Sequence, residues 1–479
     1  MALIPSAFDE AHGLNPWLKR LAPWFVALMV PLLVFFQQFT VDLHSRRLAK
    51  PLPEVAKIEE PEDPGVGALA ITSKALIKRK AYEAEKGRFL AEESLNSAMD
   101  FLDLLAKTRN DRVRVAIVAA ELLGPSVAVN RLDTIMSEAT PGGDLLREAG
   151  ELKAWYAAMD AKRTHTIDPA IRDWIIARQG WFGQLALSYG KPLSDDMRWE
   201  TASGFEAFAA FAAFMGLFQF LTLAAGIVFL VVGISMVASG RVTPADGETV
   251  APAHIYWETF GVFCLLFLIM VAVGILTLGQ RGGWVVFIDE LAVWSAMLAI
   301  WWPRLRGVSM MELSDDMGFN KGAGWGKELA VGFGVFAAGF PVTALVGAIV
   351  SAMAGDQPEE PIGVAMFEPP LQGSWAPVIL GAIGASIWAP VLEEIMFRGA
   401  LMGALRKRMS PYAAAAVAAL VFGAYHPYGV EGIASVAAGG FVYGMAKAWR
   451  GSLIAPIFAH FLWNTTIGVT ELGRLFFMD

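Results

Sequence analysis

A chain of 479 residues that is 55% hydrophobic, only 18% charged and has a mean hydropathy of +0.48 is too apolar for an ordinary soluble enzyme, and reads as a polytopic membrane protein. Its formal net charge of −8 is spread along the chain with no basic stripe, which argues against nucleic acid as a partner. The single cysteine, Cys264, lies in an apolar run, cannot form an internal disulfide and says nothing of the redox compartment.

A helix needs about 20 mostly apolar residues to cross the hydrocarbon. In chain order the candidates are 21–39, 214–238, 259–278, 285–302, 331–354, 377–400, 412–425, 433–449 and 454–469. No small-x-small cleavage site follows the first, which therefore reads as an uncleaved anchor. The expected fold is an all-α polytopic membrane protein with about nine transmembrane helices and a helical extramembrane domain inserted between the first and second. Residues 1–40 hold the N-terminal tail and anchor. Residues 41–200 are dense in charges of both signs, with an extended linker marked by Pro51, Pro53, Pro61 and Pro64 and a helical domain behind it. That domain is expected to begin with one helical stretch over 74–108 and a core-facing helix over 113–123. It shows no repeat at a fixed period, as a tetratricopeptide-like array would. Residues 201–355 hold helices two to five, and 356–479 the last four.

Lys and Arg collect on the cytoplasmic side of membrane proteins. Arg304, Arg306, Lys321 and Lys327 follow the fourth candidate span, Arg406, Lys407 and Arg408 the sixth, and Lys447 and Arg450 the eighth. The loop after the fifth is acidic, with Asp356, Glu359, Glu360 and Glu368. One helix per span then puts the N-terminus in the cytoplasm of a bacterial-type cell, in an integral, multi-pass arrangement, with the 41–200 domain outside. Arg46, Arg47 and Lys50 run against this reading, and a hairpin hidden within 204–238 would reverse it for the domain.

The stretch APVLEEIMFRG, residues 389–399, places Glu393, Glu394 and Arg398 inside a membrane-grade run. A carboxylate there costs roughly 2.5 to 3.5 kcal/mol by insertion scales, so it persists where it has a partner or a role. Glu394 and Arg398 are four residues apart, acid before base, and can neutralise each other. Glu393 lies about 100° around the helix from Glu394, is left over, and suits a general base. Downstream, Phe422 and His426 form an F-x-x-x-H pair, and His460 and Asn464 an H-x-x-x-N pair. The last spacing puts two donors on one face, as an oxyanion hole requires. On straight helices Glu393 and His426 would sit near opposite membrane sides, so convergence calls for tilt, a break near Pro390 or a shifted start of the seventh span; Pro427 and Gly429 end that helix.

In this order the motifs resemble the CPBP family of intramembrane proteases, which includes the CAAX prenyl endopeptidases of the Ras-converting type and the bacterial bacteriocin-immunity (Abi) proteins. The resemblance covers 373–470, about a fifth of the chain, and leaves residues 1–250 unexplained. It implies hydrolysis of a peptide bond by water, without a covalent intermediate. Glu393 would be the base, His426 would help hold the water, His460 and Asn464 would stabilise the oxyanion, and Glu394 with Arg398 would shape the site. No cofactor is favoured, although Glu393, His426 and His460 could ligate zinc. The implied partners are the lipid bilayer and a membrane-associated protein or peptide substrate, with no statement on oligomeric state. The competing reading is a non-catalytic membrane scaffold or bacteriocin-immunity-type protein whose polar cluster only holds helices together; no inverted repeat supports a transporter. Elsewhere, Asp289 and Glu290 are expected to snorkel to the interface, 310–327 reads as an interfacial amphipathic stretch, and Trp301 and Trp302 fit an interfacial belt.

Overall fold

The computed structural model describes residues 20–35, 68–106, 108–139, 142–245, 251–277, 294–354, 376–426 and 428–478. Every regular element among them is helical. The linker with Pro51, Pro53, Pro61 and Pro64, the basic Arg46, Arg47 and Lys50, the pair Asp289 and Glu290, the acidic loop of Asp356, Glu359, Glu360 and Glu368, and Pro427 lie outside the described residues. The chain divides into two compact units: Met1–His44, Leu217–Ile362 and Gly381–Gly468 in one, and Ser45–Gly216, Gly363–Leu380 and Val469–Asp479 in the other. Helix α1 (Arg20–Phe35) belongs to the first.

The second unit is built from α2 (Ala68–Glu85), α3 (Glu92–Leu105), α4 (Arg109–Leu123), α5 (Pro125–Ser137), α6 (Asp144–Asp160), α7 (Pro169–Gln179), α8 (Trp181–Leu187) and α9 (Asp196–Ala202). Two helices stand where one was expected over 74–108. The reason is Gly87, which takes a φ of +66° and turns the chain after α2. Helix α4 begins two residues beyond 107, where the Thr108 hydroxyl and the Asp111 carboxylate cap each other's backbone N–H groups. Its apolar residues Val113, Val115 and Ile117 are fully buried with Leu102, Leu132, Leu152 and Phe182. Three helices are also joined by a buried polar network. The Glu148 carboxylate of α6 accepts from Gln179 Nε2 (2.6 Å) and Arg178 Nε (2.8 Å) of α7, and Arg114 Nε of α4 donates to Gln179 Oε1 (3.1 Å). Burial nonetheless holds the Glu148 carboxyl above the ordinary carboxylate range.

Among the described residues, four helical stretches are long and apolar enough to cross a membrane: Asp196–Ala238, Ala253–Leu276, Trp325–Met353 and Ile379–Arg406. Within the first, α10 (Phe205–Ala238) is one unbroken helix, so no hairpin is hidden over 204–238. It is followed by α11 (Ala253–Thr277), α12 (Met310–Met317), α13 (Trp325–Ala354), α14 (376–406), α15 (Pro411–Ala424), α16 (Val430–Arg450) and α17 (Ile454–Met478). Helices α1 and α15 are apolar but shorter, whereas α16 and α17 are long and carry the polar residues of the site and of their own ends. Of the expected crossing at 285–302 only the end is described, a 3-10 helix (Ala296–Trp301) running into one α turn (Trp302–Leu305).

Packing in the first unit brings α14, α15 and α16 to close quarters. A Cβ on Gly423 of α15 would lie 2.5 Å from the Ile433 carbonyl oxygen of α16, and one on Gly444 would lie 2.9 Å from the Ala415 Cβ, so these glycines let the two backbones touch. Behind α14, an aromatic ladder on α11 closes the core. Phe260 and Phe263 meet Phe397 edge-on at 5.2 and 6.0 Å, and Phe267 meets Tyr425 at 4.4 Å.

Candidate active site

Helix α14 is irregular where it carries the charges. It contains two π-helical segments, Gly384–Trp388 and Glu394–Leu401, separated by the α-helical turn Ala389–Glu393 with Pro390 in its first positions. In the first segment the Ala389 N–H reaches back five residues to the Gly384 carbonyl. By the same spacing the Ala385 carbonyl would be paired with residue 390, and proline has no N–H to give. Asn464 supplies the missing donor: its Nδ2 bonds the Ala385 oxygen at 2.8 Å. Membrane helices tolerate proline when a neighbouring side chain satisfies the freed carbonyl in this way.

The second π-helical segment opens on Glu394. Arg398 Nη1 donates to Glu394 Oε1 (2.9 Å), and Arg398 Nη2 crosses to the Gly440 carbonyl of α16 (2.8 Å). The spacing argument foresaw the ion pair; it did not foresee a third member. His460 Nδ1 of α17 donates to the same Glu394 oxygen at 3.0 Å, because an ionised carboxylate can only accept. The opposite ring nitrogen, Nε2, then lies 3.8 Å from Glu393 Oε2. Adjacent glutamates thus stand on the two sides of one imidazole. Its ring is stacked on Tyr443 at 5.4 Å and meets Phe422 edge-on at 5.8 Å, while the Arg398 guanidinium lies over Phe422 at 4.4 Å.

His426 reaches this cluster through Phe422, whose ring it meets edge-on at 4.8 Å. Its Nδ1 donates to the Phe422 carbonyl (2.7 Å), which leaves Nε2 as the acceptor nitrogen. Tyr425 and Tyr428 flank the imidazole at 5.4 and 5.5 Å, the latter stacked on it, and both lie within electrostatic range of Glu393. The opposing depths expected of straight helices are therefore not realised, and the distortion around Pro390 falls where a break was called for.

Burial is graded across the group. Glu394 and Arg398 are sealed at 0% and 1% exposure, His460 and Glu393 follow at 5% and 8%, and His426, Tyr428 and Asn464 are only partly buried. The ion pair forms the floor and the remaining groups stand nearer the surface of the cluster. The expected convergence of His460 and Asn464 on one free oxygen takes another form here, since each gives one donor to a protein acceptor, Glu394 and Ala385. Asn464 keeps a second amide N–H. Among the described residues no three His, Cys, Asp or Glu side chains form a group that could hold a metal ion. Sequence spacing missed Tyr443, Tyr428 and the carbonyls of Gly440 and Ala385. Only the aromatic neighbours of the histidines, in GAYHPY and FVYG, hinted at the rings.

Residues 375–466 match the family model described as "Type II CAAX prenyl endopeptidase Rce1-like". The "Putative membrane peptidase YdiL" of Bacillus subtilis (strain 168) is 33% identical over 95 residues, which is 20% of this chain and 38% of that protein. The chain thus covers well under half the length of that relative. No solved structure matches. All six site residues and the Ala385 carbonyl fall inside the matched segment, so what an all-helical, integral membrane chain carries over 375–466 is a stretch similar to a family of membrane-embedded peptidases.

Proposed function

We propose that the protein is an intramembrane endopeptidase that hydrolyses a peptide bond of a membrane-associated protein or peptide with water activated by Glu393. The observation that carries this reading is the His460 imidazole held between Glu394 and Glu393. Glu394, charge-balanced by Arg398, fixes the ring through Nδ1 and so aims Nε2 at the Glu393 carboxylate, 3.8 Å away. Glu393 takes a proton from water as the oxygen attacks the scissile carbonyl. The C–N bond then breaks and the proton passes to the departing amine. His426, with Nε2 free to accept, helps hold the water. The second amide N–H of Asn464 is a donor for the developing oxyanion, and Nε2 of His460 joins it as the imidazolium, with both ring nitrogens protonated. No metal takes part in this scheme. Residues 356–479 form the catalytic part of a chain proposed to cross a bacterial-type cell membrane about nine times from a cytoplasmic N-terminus, with the 41–200 helices outside the bilayer.

Losing a general base typically costs 10²- to 10⁴-fold. Comparative proteomics of membranes from cells making the wild type or Glu393→Gln is expected to reveal a protein that accumulates uncleaved only with the variant. Equal processing by the two would end the glutamate mechanism. The same cleavage, repeated with chelator-treated protein free of zinc by elemental analysis, is expected to persist; its loss and restoration by zinc would reinstate a metal. The scaffold reading has one observation of its own, the bond from Arg398 to the Gly440 carbonyl, which ties α14 to α16. It predicts no accumulated protein in either membrane.

A further inference from the structure

Helix α12, with the sequence MMELSDDM, stands outside the peptidase site and outside the segment similar to known peptidases. Its N-terminus is fixed by a capping box between Ser309 and Glu312, and Gly318 ends it in the left-handed conformation. At about 100° per residue its side chains fall into three adjoining arcs, with the partly buried Ser314 between Met310 and Met311 and Asp315 about 40° beyond Met311. The first holds Leu313, Asp316 and Met317, which are buried. Met317 sits against Gly399 of α14, where an added Cβ would be 3.3 Å from the Met317 Cβ, and Asp316 accepts from Tyr256 OH (2.6 Å) and the Ala251 N–H (2.9 Å). The second arc holds Met310 and Met311, at 55% and 75% exposure. The third holds Asp315, which is exposed, and Glu312 of the capping box. Buried, apolar-exposed and charged arcs on one short helix are the pattern of an element lying where protein, hydrocarbon and water meet.

The neighbours of the apolar arc favour a lipid surface over another occupant. Leu298, Trp301 and Leu305 before the helix, and Phe319, Trp325 and Leu329 after it, are all exposed. They continue the apolar arc into the outer face of α13, a helix apolar enough to cross the membrane. Arg304, Lys321 and Lys327 are exposed on the same stretch and match anionic headgroups. We propose that α12 lies in the membrane–water interface, with Met310 and Met311 in the boundary between headgroups and acyl chains of an anionic phospholipid surface. This face is bolted to both halves of the site. Met317 rests on α14 one residue from Arg398, and the Gly318 carbonyl accepts from the Leu453 N–H (2.9 Å) just ahead of α17, which carries His460. Lipid that seats the methionines therefore braces the two helices whose side chains meet at Glu394.

The test needs no substrate, so its outcome is separate from that of the peptidase reading. Cys264 is 1% exposed, which leaves an introduced cysteine as the accessible labelling site. Met310→Cys and Asp315→Cys, about 140° apart on the helix, are each given a nitroxide label in the full chain, in vesicles of phosphatidylcholine and phosphatidylglycerol. Collision rates with oxygen and with a water-soluble nickel chelate are then measured. The expected result is a higher oxygen-to-nickel ratio at 310 than at 315, with Leu305→Cys, a separate position on the same surface, agreeing with 310. Equal ratios at 310 and 315, or a nickel preference at both 310 and 305, would put this face in water and overturn the proposal.

Discussion

Arg398 is the side chain on which most of the site's contacts depend. It is 1% exposed, its guanidinium bonds Glu394 and the Gly440 carbonyl, and its positive charge lies over Phe422. Removing one partner of a buried pair leaves the other charge uncompensated, at a cost of about 3–5 kcal/mol, whereas replacing both with apolar groups is far milder. Arg398→Ala is therefore expected to lower the unfolding free energy in detergent by an amount of that order. The pair Glu394→Gln with Arg398→Met should recover much of it while leaving activity lost, because His460 would then have no carboxylate to fix its ring. If the double variant were as unstable as the single, the charge argument would fail. The spacing of four made this pair readable from the amino acids alone. Its third partner was not readable, because His460 is 66 positions away and arrives from a different helix.

At the scale of the element, the distortion of α14 couples a proline to an asparagine. Asn464→Ala should cost about 1 kcal/mol, the penalty for leaving the partly buried Ala385 carbonyl without its donor. Pro390→Ala would restore a backbone N–H at the position from which a π-helical turn draws its donor. In that background the loss of Asn464 is expected to cost less. A double-mutant cycle on unfolding free energies measures the difference, and strictly additive effects would disprove the coupling. The helix boundaries of α15, α16 and α17 were legible to within a few residues at most of their ends, because long apolar runs, Gly429, Gly451 and the basic residues after the spans punctuate them. The π-helical segments were not, since nothing in a side-chain period of 3.6 announces a change of backbone register. Nor was the break at Gly87 foreseen, where a lone glycine within a run of helix formers outweighed their propensity.

At the scale of the whole molecule the two units answer to different physics. The unit around α4, α6 and α7 holds a buried carboxylate, Glu148, whose proton affinity is raised by burial. A carboxyl raised in the folded state adds stability that is full below its unfolded value and fades as pH climbs through its folded value. Hydrogen-exchange protection of residues 144–160 in the full chain, corrected for intrinsic rates, should thus fall from pH 5 to pH 7 in the wild type and fall less in Glu148→Gln. Matching slopes would show that the carboxyl does not govern this helix. In the membrane unit, composition announced a polytopic helical protein and the motifs marked the residues of the candidate site, but what surrounds that cluster comes partly from elsewhere. The ladder Phe260, Phe263 and Phe267 and the brace Met317–Gly318 belong to stretches that precede residue 375. Modularity therefore stops short of the similarity boundary. A fragment trimmed to 375–466 would keep every ionisable group of the candidate site yet present Phe397 and Tyr425 to whatever solvent replaced α11, so any transplant of this cluster into another host has to begin no later than Ala253.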